Sequence, residues 1–83
     1  MVTVLYRQRH GFDVRIYIKD HPPAHAHVWK GDKELRINLI TFEVTRNRGY
    51  NTREIRQIRA LIAENQDLLL DVWKELQKTG ENQ

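Results

Sequence analysis

Three of the four histidines, His21, His25 and His27, lie close together around a pair of prolines. Alternate side chains of an extended strand point to the same side, so His25 and His27 would project together, and His21 could approach them from the preceding loop. Neutral imidazole nitrogens are common ligands of zinc and other divalent ions. As one alternative, the segment therefore predicts a divalent-metal site made of His21, His25 and His27.

The same histidines suit metal-independent cleavage of a phosphodiester, because one imidazole can remove a proton while another donates one. Arg36 would stabilise the negative charge that develops during cleavage. We therefore predict His25, His27 and Arg36 as the catalytic set if the chain is an endoribonuclease. Hydrogen-bonded histidines that only order the proline loop would look the same, so the sequence leaves open whether catalysis occurs.

Further cations and aromatic rings are expected beside these histidines. Rings can stack on nucleic-acid bases, and cations can pair with phosphates, which is one way of binding a single strand. A sheet face in contact with water would also be polar, so the composition alone does not decide between the two. The predicted binding residues are Arg15, Tyr17, Lys19, His21 and Trp29.

Alternating apolar and polar residues predict the strands that carry these side chains. The alternation runs over residues 12–19, 25–30 and 34–39, with the period of half-buried strands. Pro22 and Pro23 require a turn after the first segment, and the glycine of Gly31-Asp32 suits a tight turn after the second.

Matching polarity sets the pairing of these strands. About the glycine turn, His27 would face Arg36. Closing the proline loop with Lys19 opposite His25 would place Tyr17 opposite His27. A shift of one residue in either hairpin would mix the two faces. We therefore predict an antiparallel meander with the His/Arg/aromatic side chains on one face.

Shorter strands are expected over residues 1–7 and 42–45, and a helical period follows. Asn51 and Glu54 have the spacing of a capping box, and the apolar stripe after them predicts two helices with a break near Asn65, or one long helix. The predicted fold is an α+β single domain over residues 1–83. It has a small antiparallel meander of about four to five strands, and one or two C-terminal helices cover its apolar face and leave the other face open.

The amino-acid composition excludes several classes of site and of protein. The chain has no cysteine, which excludes disulfides, thiolate metal sites and cysteine nucleophiles. No stretch resembles a signal peptide or could span a bilayer, so we expect a cytoplasmic protein with no membrane partner. The net charge is +3, and residues 1–50 hold nine Lys and Arg against five Asp and Glu. That part of the chain is the better candidate for meeting phosphates or an acidic partner.

The order of these features resembles the family of domain of unknown function 4160, found in small bacterial proteins. The resemblance implies a component of a toxin–antitoxin-type pair, with a cognate small protein encoded nearby and RNA or DNA as a further partner. It rests on these residues: Gly11-Phe12, Asp20-His21, a proline, His25, His27-Val28, a following glycine and a late helix with Trp73.

The residue pattern and the family resemblance together favour a toxin–antitoxin-type component that has no cofactor. This component would bind nucleic acid or its cognate protein through the His/Arg/aromatic face. The alternatives are the metal-independent endoribonuclease, a protein that binds zinc or another divalent metal, and a pure protein-interaction module.

Overall fold

Five antiparallel strands form one sheet in chain order, as the α+β prediction required. The computed structural model describes residues 1–81. After the strands, two helices complete the fold, and a further short helix lies between the first two strands. The elements are β1 (Val2–Leu5), α1 (Arg7–His10), β2 (Asp13–Ile16), β3 (His25–Lys30), β4 (Lys33–Asn38), β5 (Val44–Arg48), α2 (Thr52–Glu64) and α3 (Gln66–Glu81).

The β3–β4 hairpin has the predicted register. His27 pairs with Arg36, and Lys30 pairs with Lys33 across the turn. Gly31 in that turn has φ of 61°, a left-handed conformation that glycine adopts without steric penalty. Matching polarity was therefore sufficient to align this pair of strands.

The β2–β3 register differs from the prediction by two residues. Arg15, and not Tyr17, pairs with His27. Strand β2 ends at Ile16, and Lys19 takes a left-handed backbone with φ of 58°, which is not a strand conformation. A shift of two residues keeps every side chain on its expected face, so the alternation could not exclude it.

The two edge strands are present with shifted bounds. Strand β1 is shorter than the predicted segment, because α1 begins at Arg7, whose backbone N–H donates to the Asp13 carboxylate at 2.8 Å. Strand β5 begins at Val44 and extends to Arg48, beyond the predicted end. The predicted alternation in both segments was too brief to fix where each strand ends.

The two C-terminal helices are separated at Asn65, as predicted. Asn51 and Glu54 form the expected capping box at the start of α2. Ile58 and Ile62 of α2 and Leu69 of α3 are fully buried in one core with the apolar residues of the sheet. None of the helices in the described part of the chain has the length and apolar character that a membrane span requires.

The second face of the sheet is less open than expected. His25 is 8 % exposed and His27 is 7 % exposed. Tyr17 stacks on the His27 ring, and Asp20 from the proline loop contacts both imidazoles. The residues between β2 and β3 therefore fold over the histidines, because β2 ends early and the chain must return to the start of β3.

Candidate functional site

His25 is held by its two ring nitrogens at the start of β3. Its Nδ1 lies 2.9 Å from the Pro23 carbonyl oxygen, and its Nε2 lies 2.8 Å from Asp20 Oδ2. A carbonyl can only accept, so Nδ1 carries a hydrogen and donates it. The Trp73 ring of α3 packs against the imidazole with a centroid distance of 5.1 Å. These contacts fix the ring, with Nε2 directed at the Asp20 carboxylate.

Asp20 lies in the loop between β2 and β3 and serves both histidines. Its Oδ1 accepts the backbone N–H of His21 at 2.9 Å, and its Oδ2 lies 3.7 Å from His27 Nε2. Burial would raise the pKa of this carboxyl group, but the His21 hydrogen bond and the charge of His25 outweigh burial and hold the pKa below its ordinary value. Asp20 is therefore a carboxylate at neutral pH.

His27 is buried without good hydrogen bonds. Its ring stacks on Tyr17 with centroids 4.3 Å apart and planes 13° apart. Its Nδ1 lies 3.5 Å from Glu34 Oε2, and among the described residues neither ring nitrogen has a hydrogen-bond partner. Burial, followed by the neighbouring charge of His25, lowers the pKa of His27. A neutral imidazole with an available lone pair is the result.

These three side chains form a group that could hold a metal ion. One donor atom from each of Asp20, His25 and His27 lies within 4.8 Å of the others. The predicted metal set contained His21 in place of Asp20, but the side chain of His21 is exposed. Closure of the proline loop indicates that some residue before the prolines meets the histidines, but it does not select Asp20 over His21.

A row of basic residues crosses the same face. Arg15 on β2, His27 on β3, Arg36 on β4 and Arg46 on β5 are successive register partners. Neighbouring strands are about 4.8 Å apart, and like charges directly opposite each other destabilise a sheet. The pair formed by Arg36 and Arg46 is of this kind. We call Arg15, Arg36 and Arg46 the arginine row.

The arginine row is only partly neutralised. Arg15 lies 3.8 Å from an Asp13 carboxylate oxygen, and Arg46 lies 3.9 Å from Glu34. Both distances are near the limit for an ion pair, and the described residues offer no hydrogen-bond acceptor to the buried Nε of Arg15 or Arg36. The row therefore retains capacity for an additional anion.

A pocket of about 180 Å³ lies between the proline loop and Arg36, the middle member of the arginine row. Asp20 and His25 line it on one side, and Arg36, Asn38 and Thr45 line it on the other. A small anionic group placed there would meet both the carboxylate–histidine group and a guanidinium.

The predicted binding residues are divided between the interior and the surface. Tyr17 and Trp29 are half-buried, with one ring stacked on His27 and the other beneath the Arg15 guanidinium at 5.6 Å. Lys19 is exposed. Both rings already pack against side chains of the same face, so less of their surface is available for stacking bases than the sequence suggested.

Residues 11–74 match the family model described as Domain of unknown function (DUF4160). The matched range includes Asp20, both buried histidines and the arginine row. No curated protein and no solved structure matches the chain significantly.

Proposed function

This chain belongs to the DUF4160 family, and from that premise we propose that it binds the phosphate backbone of a single-stranded nucleic acid, as a component of a toxin–antitoxin-type pair. The arginine row is the observation that supports the nucleic-acid part. The family description names no activity, so the proposal depends on the side chains of this chain.

An anion explains a feature that is otherwise unfavourable. Arg36 faces Arg46 in register, and such a like-charge pair destabilises a sheet by a few tenths of a kcal/mol up to about 1 kcal/mol. A phosphate beside two guanidinium groups would accept hydrogen bonds from both and offset their repulsion. A polymer of phosphates can extend along the whole row, whereas a single small anion can meet only neighbouring members.

The experiment measures binding of a labelled single-stranded RNA and DNA by fluorescence anisotropy over a series of salt concentrations. Arg36→Ala combined with Arg46→Ala should weaken binding. The negative slope of log K against log salt should become less steep by about 0.7 for each phosphate that the variant no longer neutralises. Lys74→Ala is the control, because it removes an exposed cation from α3. Equal effects of row and control variants, or no binding at low salt, would reject the proposal.

The toxin–antitoxin part rests on the family resemblance. We expect a cognate small protein encoded nearby, and conditional expression of this chain with and without the neighbouring gene tests it. Growth arrest or loss of RNA integrity that only the neighbour relieves would support the assignment. Unchanged growth and intact RNA in both arms would count against it.

Metal-independent RNA cleavage is the second candidate, and the Asp20–His25 contact favours it. A carboxylate 2.8 Å from an imidazole holds the ring in one orientation. His25 would then donate a proton while the neutral His27 removes one. Cleavage that survives a chelator, has a bell-shaped pH profile and is abolished in His25→Ala would support this candidate.

A further inference from the structure

We propose that Asp20, His25 and His27 form a binding site for a divalent transition-metal ion. The site would bind the ion without nucleic acid, so the proposal does not depend on the function proposed above. Four features of the structure support it: converging donor atoms, supported ring orientations, an unpartnered imidazole and an adjoining pocket.

The donor atoms converge on one carboxylate oxygen. Asp20 Oδ2 lies 2.8 Å from His25 Nε2 and 3.7 Å from His27 Nε2. Ligands bound to one first-row metal at about 2.0–2.2 Å stand roughly 3 Å or slightly more from each other. Both oxygen–nitrogen separations are therefore close to those that a shared ion would impose, and the three donor atoms lie within 4.8 Å of one another.

The opposite nitrogen of each ring faces an acceptor. His25 Nδ1 donates to the Pro23 carbonyl at 2.9 Å, and His27 Nδ1 lies 3.5 Å from Glu34 Oε2. Metal-bound histidines usually donate their other N–H to a carbonyl or carboxylate, which fixes the tautomer and strengthens the ligand. With Nδ1 turned to an acceptor, Nε2 is the ligand atom of each ring, and the ion would displace the proton through which His25 Nε2 contacts Asp20.

The burial of His27 without a hydrogen-bond partner supports the site independently of the distances between the donor atoms. The His27 side chain is 9 % exposed, and no group in the described part of the chain hydrogen-bonds to either nitrogen. Buried polar atoms in folded proteins nearly always have a partner. A bound ion would be the partner of Nε2, and it would draw Nδ1–H toward Glu34.

The composition of the site indicates the kind of ion. Two imidazoles and one carboxylate suit zinc and its first-row neighbours, and three protein ligands leave a position for a water or another ligand. Asp20 and His25 also line the pocket, so this position would face it. Arg15 and Arg36 beside His27 oppose a cation, whereas the Asp20 and Glu34 carboxylates favour it.

The test uses the whole chain without an affinity tag, freed of metal by a chelator and titrated with zinc and with cobalt. We expect one ion per chain, a cobalt absorption spectrum of nitrogen and oxygen ligation, and a melting temperature raised by more than about 5 °C at saturation. Asp20→Asn and His27→Gln should each weaken zinc binding by at least about tenfold, and Glu34→Gln by about 10–100-fold.

His21→Ala is the matched control, because it removes an exposed histidine next to Asp20. Its zinc affinity should equal that of the unmodified chain. Loss of binding in His21→Ala with retention in Asp20→Asn would overturn the proposal in favour of a three-histidine site. Absence of micromolar binding by the unmodified chain would overturn it altogether.

A second measurement does not depend on the variants folding. Zinc added to the unmodified chain should shift the imidazole nitrogen resonances of His25 and His27, with the larger shift at Nε2. The resonances of His21 should stay unchanged. Equal shifts at all three histidines would indicate nonspecific binding and would contradict the proposal.

Discussion

The surroundings of His27 oppose protonation of its imidazole. Its pKa falls below the ordinary value of 6.5 on folding, chiefly because of burial and then because of the charge of His25. The unfolded chain therefore binds a proton more readily at this residue than the folded chain does. The stability that neutral His27 contributes is complete above about pH 6.5 and decreases as the pH falls below that value.

Acidification should therefore destabilise the unmodified chain, and replacing His27 should reduce this effect. We expect the free energy of unfolding to fall between pH 7 and pH 5, with a smaller fall in His27→Gln. Asp20 does not interfere, because its pKa lies below its ordinary value of 3.8 and its contribution is lost only at more acidic pH. Urea unfolding followed by tryptophan fluorescence, with chelator present, measures the effect.

The exposed His21 provides the comparison for this prediction. His21→Gln makes the same chemical change outside the interior, so its stability should follow the pH dependence of the unmodified chain. If the free energy of unfolding falls equally with pH in the His27 variant and in the unmodified chain, the buried imidazole does not resist protonation.

At the scale of elements, two turn glycines differ in what surrounds them. Gly31 in the β3–β4 turn has φ of 61°, and apart from Gly31 and its two chain neighbours no atom of the described residues lies within 4 Å of the position that a Cβ would take there. Gly49, between β5 and α2, has φ of 102°, and a Cβ there would lie 2.9 Å from Lys33 Cγ. Displacing Lys33 would disturb the ion pair between its Nζ and Glu54, which are 2.9 Å apart.

The same substitution at both glycines should therefore have unequal effects. Gly31→Ala should destabilise by about 1–2 kcal/mol, the strain of a left-handed residue. Gly49→Ala should destabilise by at least about 1 kcal/mol more, because its φ is less favourable and Lys33 must be displaced. Each kcal/mol corresponds to about 4–8 °C in melting temperature for a chain of this size. Equal melting temperatures would show that Lys33 yields easily.

The elements also show which parts of the fold could be predicted from the sequence. The β3–β4 register follows from polarity because a two-residue turn fixes where the hairpin begins. The β2–β3 register does not, because the connecting loop is longer and a shift of two residues leaves both faces unchanged. The position of Tyr17 beside His27 survived this error, since a residue just beyond the strand end can still reach its diagonal neighbour.

The candidate site was only partly predictable, because two of its residues lie on a strand and the third lies in a loop. The period of a strand places His25 and His27 on one side. The backbone of the proline loop decides whether Asp20 or His21 meets them, and side-chain alternation says nothing about a loop. Burial of the histidines was missed because it depends on where β2 ends.

For the whole molecule, the arrangement places both proposed binding groups on one side of the sheet. The apolar residues of the other side pack with α2 and α3 in the core. The arginine row and the Asp20–His25–His27 group meet at His27, which pairs with both Arg15 and Arg36. An ion bound by the histidine would therefore add its charge within the field of the row.

This proximity predicts that metal and nucleic acid bind cooperatively. A divalent ion beside the row increases the positive potential that a phosphate meets, so zinc should tighten binding of single-stranded RNA by about fivefold or more. By linkage, saturating RNA must raise zinc affinity by the same factor. RNA binding is measured by fluorescence anisotropy with and without zinc, and zinc binding is measured with and without RNA. The two coupling factors must agree.

Asp20→Asn separates this coupling from zinc bound by the RNA itself, because the variant keeps the arginine row and loses a metal ligand. Added zinc should leave its RNA affinity unchanged, and raising the salt concentration should reduce the coupling in the unmodified chain, since salt screens the interaction between charges. If both ligands bind the unmodified chain with a coupling factor near one, the phosphates do not approach the metal. The nucleic acid would then follow the Arg46 end of the row, away from the pocket beside Asp20.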